Sequence, residues 1–591
     1  MLLNHGVIGN GRVLALVNPN TSIDWLCMPR FDSPSVFARL LDEQKGGCFA
    51  FESDGMQAVM AYTRNTNVLR TEVTTPDGRF EIFDFAPRIP AGLSVDAPLE
   101  IHRLVRPLEG TPRVRVRFQP APDYGRAVPE FVPMGLGLEI RGGPSRLFLR
   151  SNIPADYILS GFTFRIDRPL FFVLSCGRPT DVDTTASVER ALELTIAGWR
   201  QWAKACALPT FAPEAVLRSA LCLKLHAFSD TGAIIAAATT SIPESLDSVR
   251  TWDYRFCWLR DAAFVVEALR RLSHFAEGEA FVRFLRDVAD AGPLQPLYGI
   301  GGERELVEEF VPTLCGFEGV GPVRIGNAAY TQNQHDLMGE LILCLETILT
   351  DPRVVYEDRS VMVLIDRLVE EAIELSQLED TGLWEYRTMP RHYTFSKVMC
   401  WVAAHRGAQL ADMFSQPERA ERWRHWAAIE RERILKSAYN EELGFFTQSL
   451  DGQHGDASNL LLPTLGIIEP TDPRFVSTVR AYERLLVDNG LMLRYRHPDD
   501  FGATTSAFSI CSFWWVEALA MMGEVEEAVA LFNRLLGHAN PLGLFSEDIE
   551  PQTGRLLGNF PQAYTHVGLI HAAVTIGEIL ESRTGHFRAW T

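Results

Sequence analysis

The chain has 591 residues, 47% of them hydrophobic and 22% charged, which is too long for one ordinary core and too apolar for a disordered protein. Its 56 basic and 75 acidic residues leave a net charge of -19 without a basic run, so nucleic acid is excluded as an expected partner. The ten cysteines are widely spaced, and neither a leader pattern nor a membrane-length apolar run occurs, so the expectation is a cytoplasmic protein with reduced thiols and no membrane association.

In chain order, the first signal is Asn10-Gly11 between two short apolar runs, which predicts a hairpin. Strict alternation over residues 113–118 and a continuous apolar run over residues 169–176 predict further strands. Many short strands punctuated by Gly and Pro predict an antiparallel β-sandwich over residues 1–184. The period then changes to 3.6 residues. A connecting helix is expected near residues 187–206 within a linker at 185–212, and an all-helical domain of about a dozen helices over 213–591. In its last third, Val525, Ala528, Val529, Phe532, Leu535 and Leu536 share one helix face, with Gly537 as the stop. No repeat of solenoid length is present.

The richest segment is Trp252-Asp253-Tyr254-Arg255-Phe256-Cys257-Trp258-Leu259-Arg260-Asp261, where aromatics surround two Arg and two Asp. Flat aromatic faces pack on the C–H faces of a pyranose, while adjacent Arg and Asp donate to and accept from its hydroxyls. The competing reading is an ion pair at a helix start, where Asp is commonplace.

Two glutamates have surroundings suited to glycosidic-bond hydrolysis, which needs a protonated acid at the leaving oxygen and, for inversion, a carboxylate that activates water. Glu385 lies between Trp384 and Tyr386, bulk that would desolvate its carboxyl and raise its pKa. Glu547 lies in Gly543-Leu544-Phe545-Ser546-Glu547-Asp548, a loop after a predicted helix. The alternative for each is a surface charge, for Glu385 one paired with Arg387.

At these residues the chain resembles glycoside hydrolase family 15, the glucoamylase, glucodextranase and bacterial trehalase family, in its prokaryotic two-domain form. The resemblance runs through residues 22–34, 232–241, 252–261, 322–327, 396–401 and 558–563 in one order. It implies an (α/α)6 barrel behind the β-sandwich and an inverting, exo-acting α-glucosidase that releases β-glucose from a non-reducing end, from a maltooligosaccharide or from α,α-trehalose. By motif it implies Glu385 as general acid and Glu547 as general base. Arg260 and Asp261 are implied as ligands of the terminal glucose, and Tyr254, Trp258 and Trp384 as its walls. Lys397 is expected to face the cleft, and Arg496 to be a further substrate-binding arginine. One departure stands out: where many relatives read Tyr-Gly-Ile-Asp-Gly, this chain has Tyr298-Gly299-Ile300-Gly301-Gly302, which puts the leaving-group subsite in question.

Two other functions compete. An inverting disaccharide phosphorylase would use phosphate in place of activated water, and a base at Glu547 argues against it. A non-catalytic carbohydrate-binding protein would place the two glutamates more than about 10 Å apart. No metal or organic cofactor is implied: His566 and His571 are five positions apart, His-Glu-x-x-His is absent, and no dinucleotide fingerprint follows a strand. The expected partner is a small saccharide, and oligomeric state has no signature in the sequence.

Overall fold

The computed structural model describes residues 2–92, 94–353 and 360–584. The amino-terminal half is two antiparallel sheets. One has seven strands, ordered Gly6–Gly9, Leu14–Val17, Ile23–Cys27, Cys48–Glu52, Arg113–Gln119 and Phe164–Arg165, with Ser35–Phe37 paired to Ile23–Cys27. The other has eight, ordered Glu130–Met134, Gly137–Arg141, Leu147–Ser151, Leu170–Cys176, Glu100–Gly110, Gly78–Phe85, Leu69–Thr75 and Gln57–Tyr62.

The local chemistry explains these elements. Gly9 pairs with Leu14 across the expected turn, Asn10 Oδ1 accepts from the backbone of Arg12 and Val13, and Gly11 supplies a φ of 93°. Arg113–Gln119 alternates exposed and buried along its length, whereas every residue of Leu170–Cys176 is buried. Phe172 of the eight-stranded sheet meets Phe49 and Phe51 of the other edge to face, at 5.9 and 5.2 Å, so the sheets share one aromatic core. Helix Thr185–Lys204 follows, with the Thr184 hydroxyl accepting from Ser187 N–H as its cap.

The carboxyl-terminal half is two concentric rings of helix. Leu259–Arg271 packs on Leu337–Leu349, which packs on Thr394–Met413. The 3-10 helix Ala457–Leu461 continues the ring to Ser509–Met521 and Ala563–Thr584, and the last closes on Leu259–Arg271. Pro213–His226, Ala276–Asp290, Ser360–Leu375, Pro417–Ala438, Pro473–Leu485 and Val525–Leu536 form the outer layer. Burial separates the layers. Ser509–Met521 is buried on nearly every side, while Val525–Leu536 buries Val525, Ala528, Leu531, Phe532 and Leu535 and exposes its acids. Gly537 ends that helix in right-handed geometry at φ -66°, not in the left-handed stop its position suggests.

The halves are joined by buried contacts. Trp25 Nε1 donates to Ala238 O at 2.7 Å, and Asn540 Nδ2 donates to Leu3 O and His5 O. Arg255 pairs with Asp253 at 2.6 Å and donates to Tyr124 Oη and Ser33 O. One Arg of the sugar-like motif, held by its partner Asp253, therefore fastens the barrel to the sandwich. No helix among the described residues is long and apolar enough to cross a membrane.

Candidate active site

A cavity lies at the amino-terminal ends of the inner helices. Arg260 and Asp261 open Leu259–Arg271, Phe508 precedes Ser509–Met521, and Gln562 and Tyr564 flank the start of Ala563–Thr584. Helix starts present unpaired N–H groups and partial positive charge, a setting that suits hydroxyls and developing anions. Depth follows exposure. Arg260 and Asp261 are 8% and 6% exposed, the Glu385 side chain 22%, and the Arg387 side chain 34%, which orders them from floor to rim.

Glu385 sits on a tight turn, its N–H bonded to Gly382 O and the Tyr386 N–H to Thr381 O. Its φ of 61° is left-handed, a strain of about 1–3 kcal/mol that surrounding contacts must hold. Oε1 accepts from Trp258 Nε1 at 2.6 Å, Gln334 Nε2 at 3.3 Å and Arg260 Nη2 at 3.4 Å. The expected apolar pocket around this carboxyl is thus a cluster of donors. The same guanidinium meets Asp261 at 3.3 Å and Gln334 Oε1 at 3.0 Å, so Arg260 braces three groups. Burial pushes the Asp261 carboxyl up to about 6 against the pull of Arg260. Tyr254 and Trp258 meet edge to face at 5.3 Å, and Trp384 is fixed by its Nε1 donating to Asp456 at 2.8 Å. All three line the cavity.

Glu547 is not in the lining but in the layer behind it. It precedes the short strand Asp548–Ile549, which pairs with Ala507–Phe508 and Leu556–Leu557. Its Oε2 accepts from Asn559 N–H at 3.0 Å, Oε1 has no well-directed hydrogen bond, and the Tyr254 phenol stands beside the carboxyl. Only glycine fits at position 558, where φ is 71° and a Cβ would stand 2.6 Å from that of Glu547. Burial holds the Glu547 carboxyl well above the usual range, and the charges of Asp548 and Glu244 raise it further. Asp548 is pushed up to about 8 by burial and by Glu244. Burial raises the Tyr254 phenol, and the charges of Glu547, Glu244 and Glu385 raise it further.

Three expectations need correction. Lys397 does not face the cavity; it is fully buried, with Nζ donating to the carbonyls of Leu375 and Leu378 beyond helix Ser360–Leu375. An inner-ring helix offers no solvent, so its lysine turns to the unpaired carbonyls of a neighbouring helix end. Arg496 points outward with its side chain 50% exposed, towards Val487 O and Asp488. Arg494 is the cavity arginine of that motif, donating to Glu244 Oε2 at 2.6 Å. The Gly299-Ile300-Gly301-Gly302 loop lies against the sandwich, where Ile300 N–H meets Asp32 and the Arg30–Glu303 pair fills the space a side chain at 301 would need.

Sequence reasoning also missed Glu244, Gln334, Asp336 and Glu340. Glu244 accepts from Trp252 Nε1 at 2.8 Å and lines the cavity wall. Asp336 is buried 3.7 Å from Arg260, with Glu340 one turn further along, and burial raises both carboxyls. Their signals were faint: Asp336 stands near two glutamines in Gln332-Asn333-Gln334-His335-Asp336, a spacing with no chemistry of its own. Among the described residues, no group of three or more His, Cys, Asp or Glu side chains is arranged to hold a metal ion.

Comparison with known proteins agrees with this architecture. The pattern of "Glycosyl hydrolases family 15" matches residues 210–574, and that of "Trehalase-like, N-terminal" matches residues 2–159. The trehalase of Mycobacterium tuberculosis is 36% identical over 97% of this chain and 89% of its own. That of Thermoplasma volcanium is 31% identical over 98% of this chain and 94% of its own. In fold, the chain is similar to a bacterial glucoamylase solved with acarbose, with a TM-score of 0.70 at 14% identity, covering 99% of this chain and 96% of that one. With the family pattern covering most of its length and relatives of this identity end to end, the chain belongs to glycosyl hydrolase family 15 and is a glycoside hydrolase.

Proposed function

We propose that the protein hydrolyses α,α-trehalose with inversion at one anomeric carbon, releasing one β-glucose and one α-glucose. The glucose that inverts occupies the floor, its hydroxyls shared between Arg260 and Asp261. Glu385 gives its proton to the glycosidic oxygen as the C1–O bond breaks. A water held at Glu547 attacks C1 from the opposite face and leaves its proton on that carboxylate, so atoms and charge balance over the turnover. Tyr254, Trp258 and Trp384 form the walls.

The observation that carries this reading is that Glu385 and the Arg260–Asp261 pair line one cavity together with Tyr254, whose phenol stands beside the buried Glu547. Support for trehalose over maltooligosaccharides comes from end-to-end relatives that bear the name trehalase. Proton NMR of early turnover tests both parts. Equal amounts of β- and α-glucose from trehalose are expected. Release of α-glucose alone would overturn inversion, and glucose 1-phosphate among the products would mean phosphorolysis.

A further inference from the structure

The exposed end of the cavity is bordered by side chains from five separate stretches. Arg387 is the hub, two residues past Glu385. Its N–H donates to Asp500 Oδ2 at 2.6 Å, the neighbouring Thr388 hydroxyl donates to Asp500 Oδ1, and its guanidinium donates to Glu308 at 2.8 Å. That guanidinium lies 5.1 Å from the Trp252 ring and 5.2 Å from Phe501, and the two rings meet edge to face at 4.9 Å. Arg250 closes the far side by pairing with Asp499 and donating to Gly502 O at 3.0 Å. Glu308 is held in turn by Arg324 at 2.7 Å, whose guanidinium covers Trp252 at 4.8 Å.

This collar sets a length. The reading above, on which this inference rests, puts the scissile bond at Glu385 and one ring between Glu385 and the floor. The rest of the substrate must then fit between Glu385 and the collar. There Trp252, Arg387, Asp500 and Phe501 all line the cavity, so aromatic and hydrogen-bonding groups meet where a second sugar ring would sit. A third ring would have to part the Arg387 guanidinium from Glu308 and Asp500 from the Arg387 N–H and the Thr388 hydroxyl, leaving charged groups without those hydrogen bonds.

We infer that the collar of Arg387, Asp500, Phe501 and Trp252 is a chain-length filter that seats the second ring of a disaccharide and turns away longer α-glucans. Specificity for the disaccharide is then built at the rim, in residues that do not touch the reacting atoms.

A ladder of trehalose, maltose, maltotriose and maltoheptaose tests it in two ways. Binding is measured by calorimetry in Glu385→Gln, with the collar intact and with Arg387→Ala/Asp500→Ala added, and kcat/KM is measured in the same collar variants with Glu385 retained. With the collar intact, maltoheptaose should bind and react at least about tenfold worse than the best disaccharide. With it opened, that gap should shrink to within about threefold while the disaccharide loses about tenfold. Phe501→Ala repeats the test without removing a charge, and thermal melting confirms that each variant is folded. Equal handling of maltoheptaose and disaccharide by the intact collar, or an unchanged gap in both opened forms, would overturn the inference. If the active enzyme cleaves no α-glucoside, the hydrolysis reading fails, and the binding ladder still decides the filter.

Discussion

The surroundings of Glu385 and Glu547 are built in opposite ways. Glu385 stands on a strained turn, partly open to solvent, with Trp258, Gln334 and Arg260 all donating to one oxygen. Glu547 is buried beside two other acids, Asp548 and Glu244, and one backbone N–H serves its Oε2. Donors fix the position of the first; crowding of like charge and loss of water hold a proton on the second. The contrast teaches that two identical side chains acquire different chemical surroundings from neighbours far away in sequence. It also predicts that the second carboxyl becomes an effective base only as pH rises above its elevated value.

The contrast can be broken most sharply by changing the leaving group. Fluoride leaves α-glucosyl fluoride without protonation, so Glu385→Gln should keep turnover on it while losing about 10²–10⁴-fold on trehalose. Glu547→Gln should lose both. Equal losses on the two substrates in each variant would erase the division of labour. Next in size, Arg260→Lys keeps the charge but cannot brace Glu385, Asp261 and Gln334 together, and should lower kcat/KM about 10²-fold. Trehalose kinetics with a circular-dichroism control checks this.

A smaller effect isolates the acid cluster. Glu244→Gln removes a negative neighbour and so lowers the pKa of Glu547, which should move the acidic limb of the kcat profile to lower pH. A limb that stays in place would detach it from Glu547. The smallest effect is on stability. Asp548 holds its proton to about 8 when folded, against 3.8 as the ordinary value. Between these values the unfolded chain has lost a proton that the folded chain keeps, so stability falls as pH rises through this window, by at most about 1.4 kcal/mol per unit for this group. Asp548→Asn should remove that slope and be relatively more stable near neutrality, as urea melts across the window would register.

Part of this was legible in the linear chain. Asn10-Gly11 predicted its hairpin because an Asn-Gly pair tolerates the left-handed turn that joins two twisted strands. The alternation of residues 113–118 and the apolar run of 169–176 became strands of the expected exposure. The helix expected near residues 187–206 is Thr185–Lys204, and the family motifs led to an architecture that the comparisons share. Within the motif at 252–261, however, nothing local said that Arg260 and Asp261 face the cavity while Arg255, paired with Asp253, faces the sandwich. Arg494 and Arg496 posed the same problem two positions apart, and the wrong one was favoured.

What the sequence determined by itself was periodicity and residue type, because strands, helices and turns are selected by interactions within a few positions. It therefore announced two unlike halves, a sugar-compatible chemistry and two candidate carboxyls. Only the tertiary structure decided which charges share a low-dielectric space, since Glu244, Asp548 and Glu547, or Arg387, Asp500 and Glu308, come together by ring closure of the helices and their loops. Electrostatic energy depends on distance and burial rather than on order along the chain, and for that reason the donor cluster at Glu385, the acid cluster at Glu547 and the collar at the rim became visible only once the chain was folded.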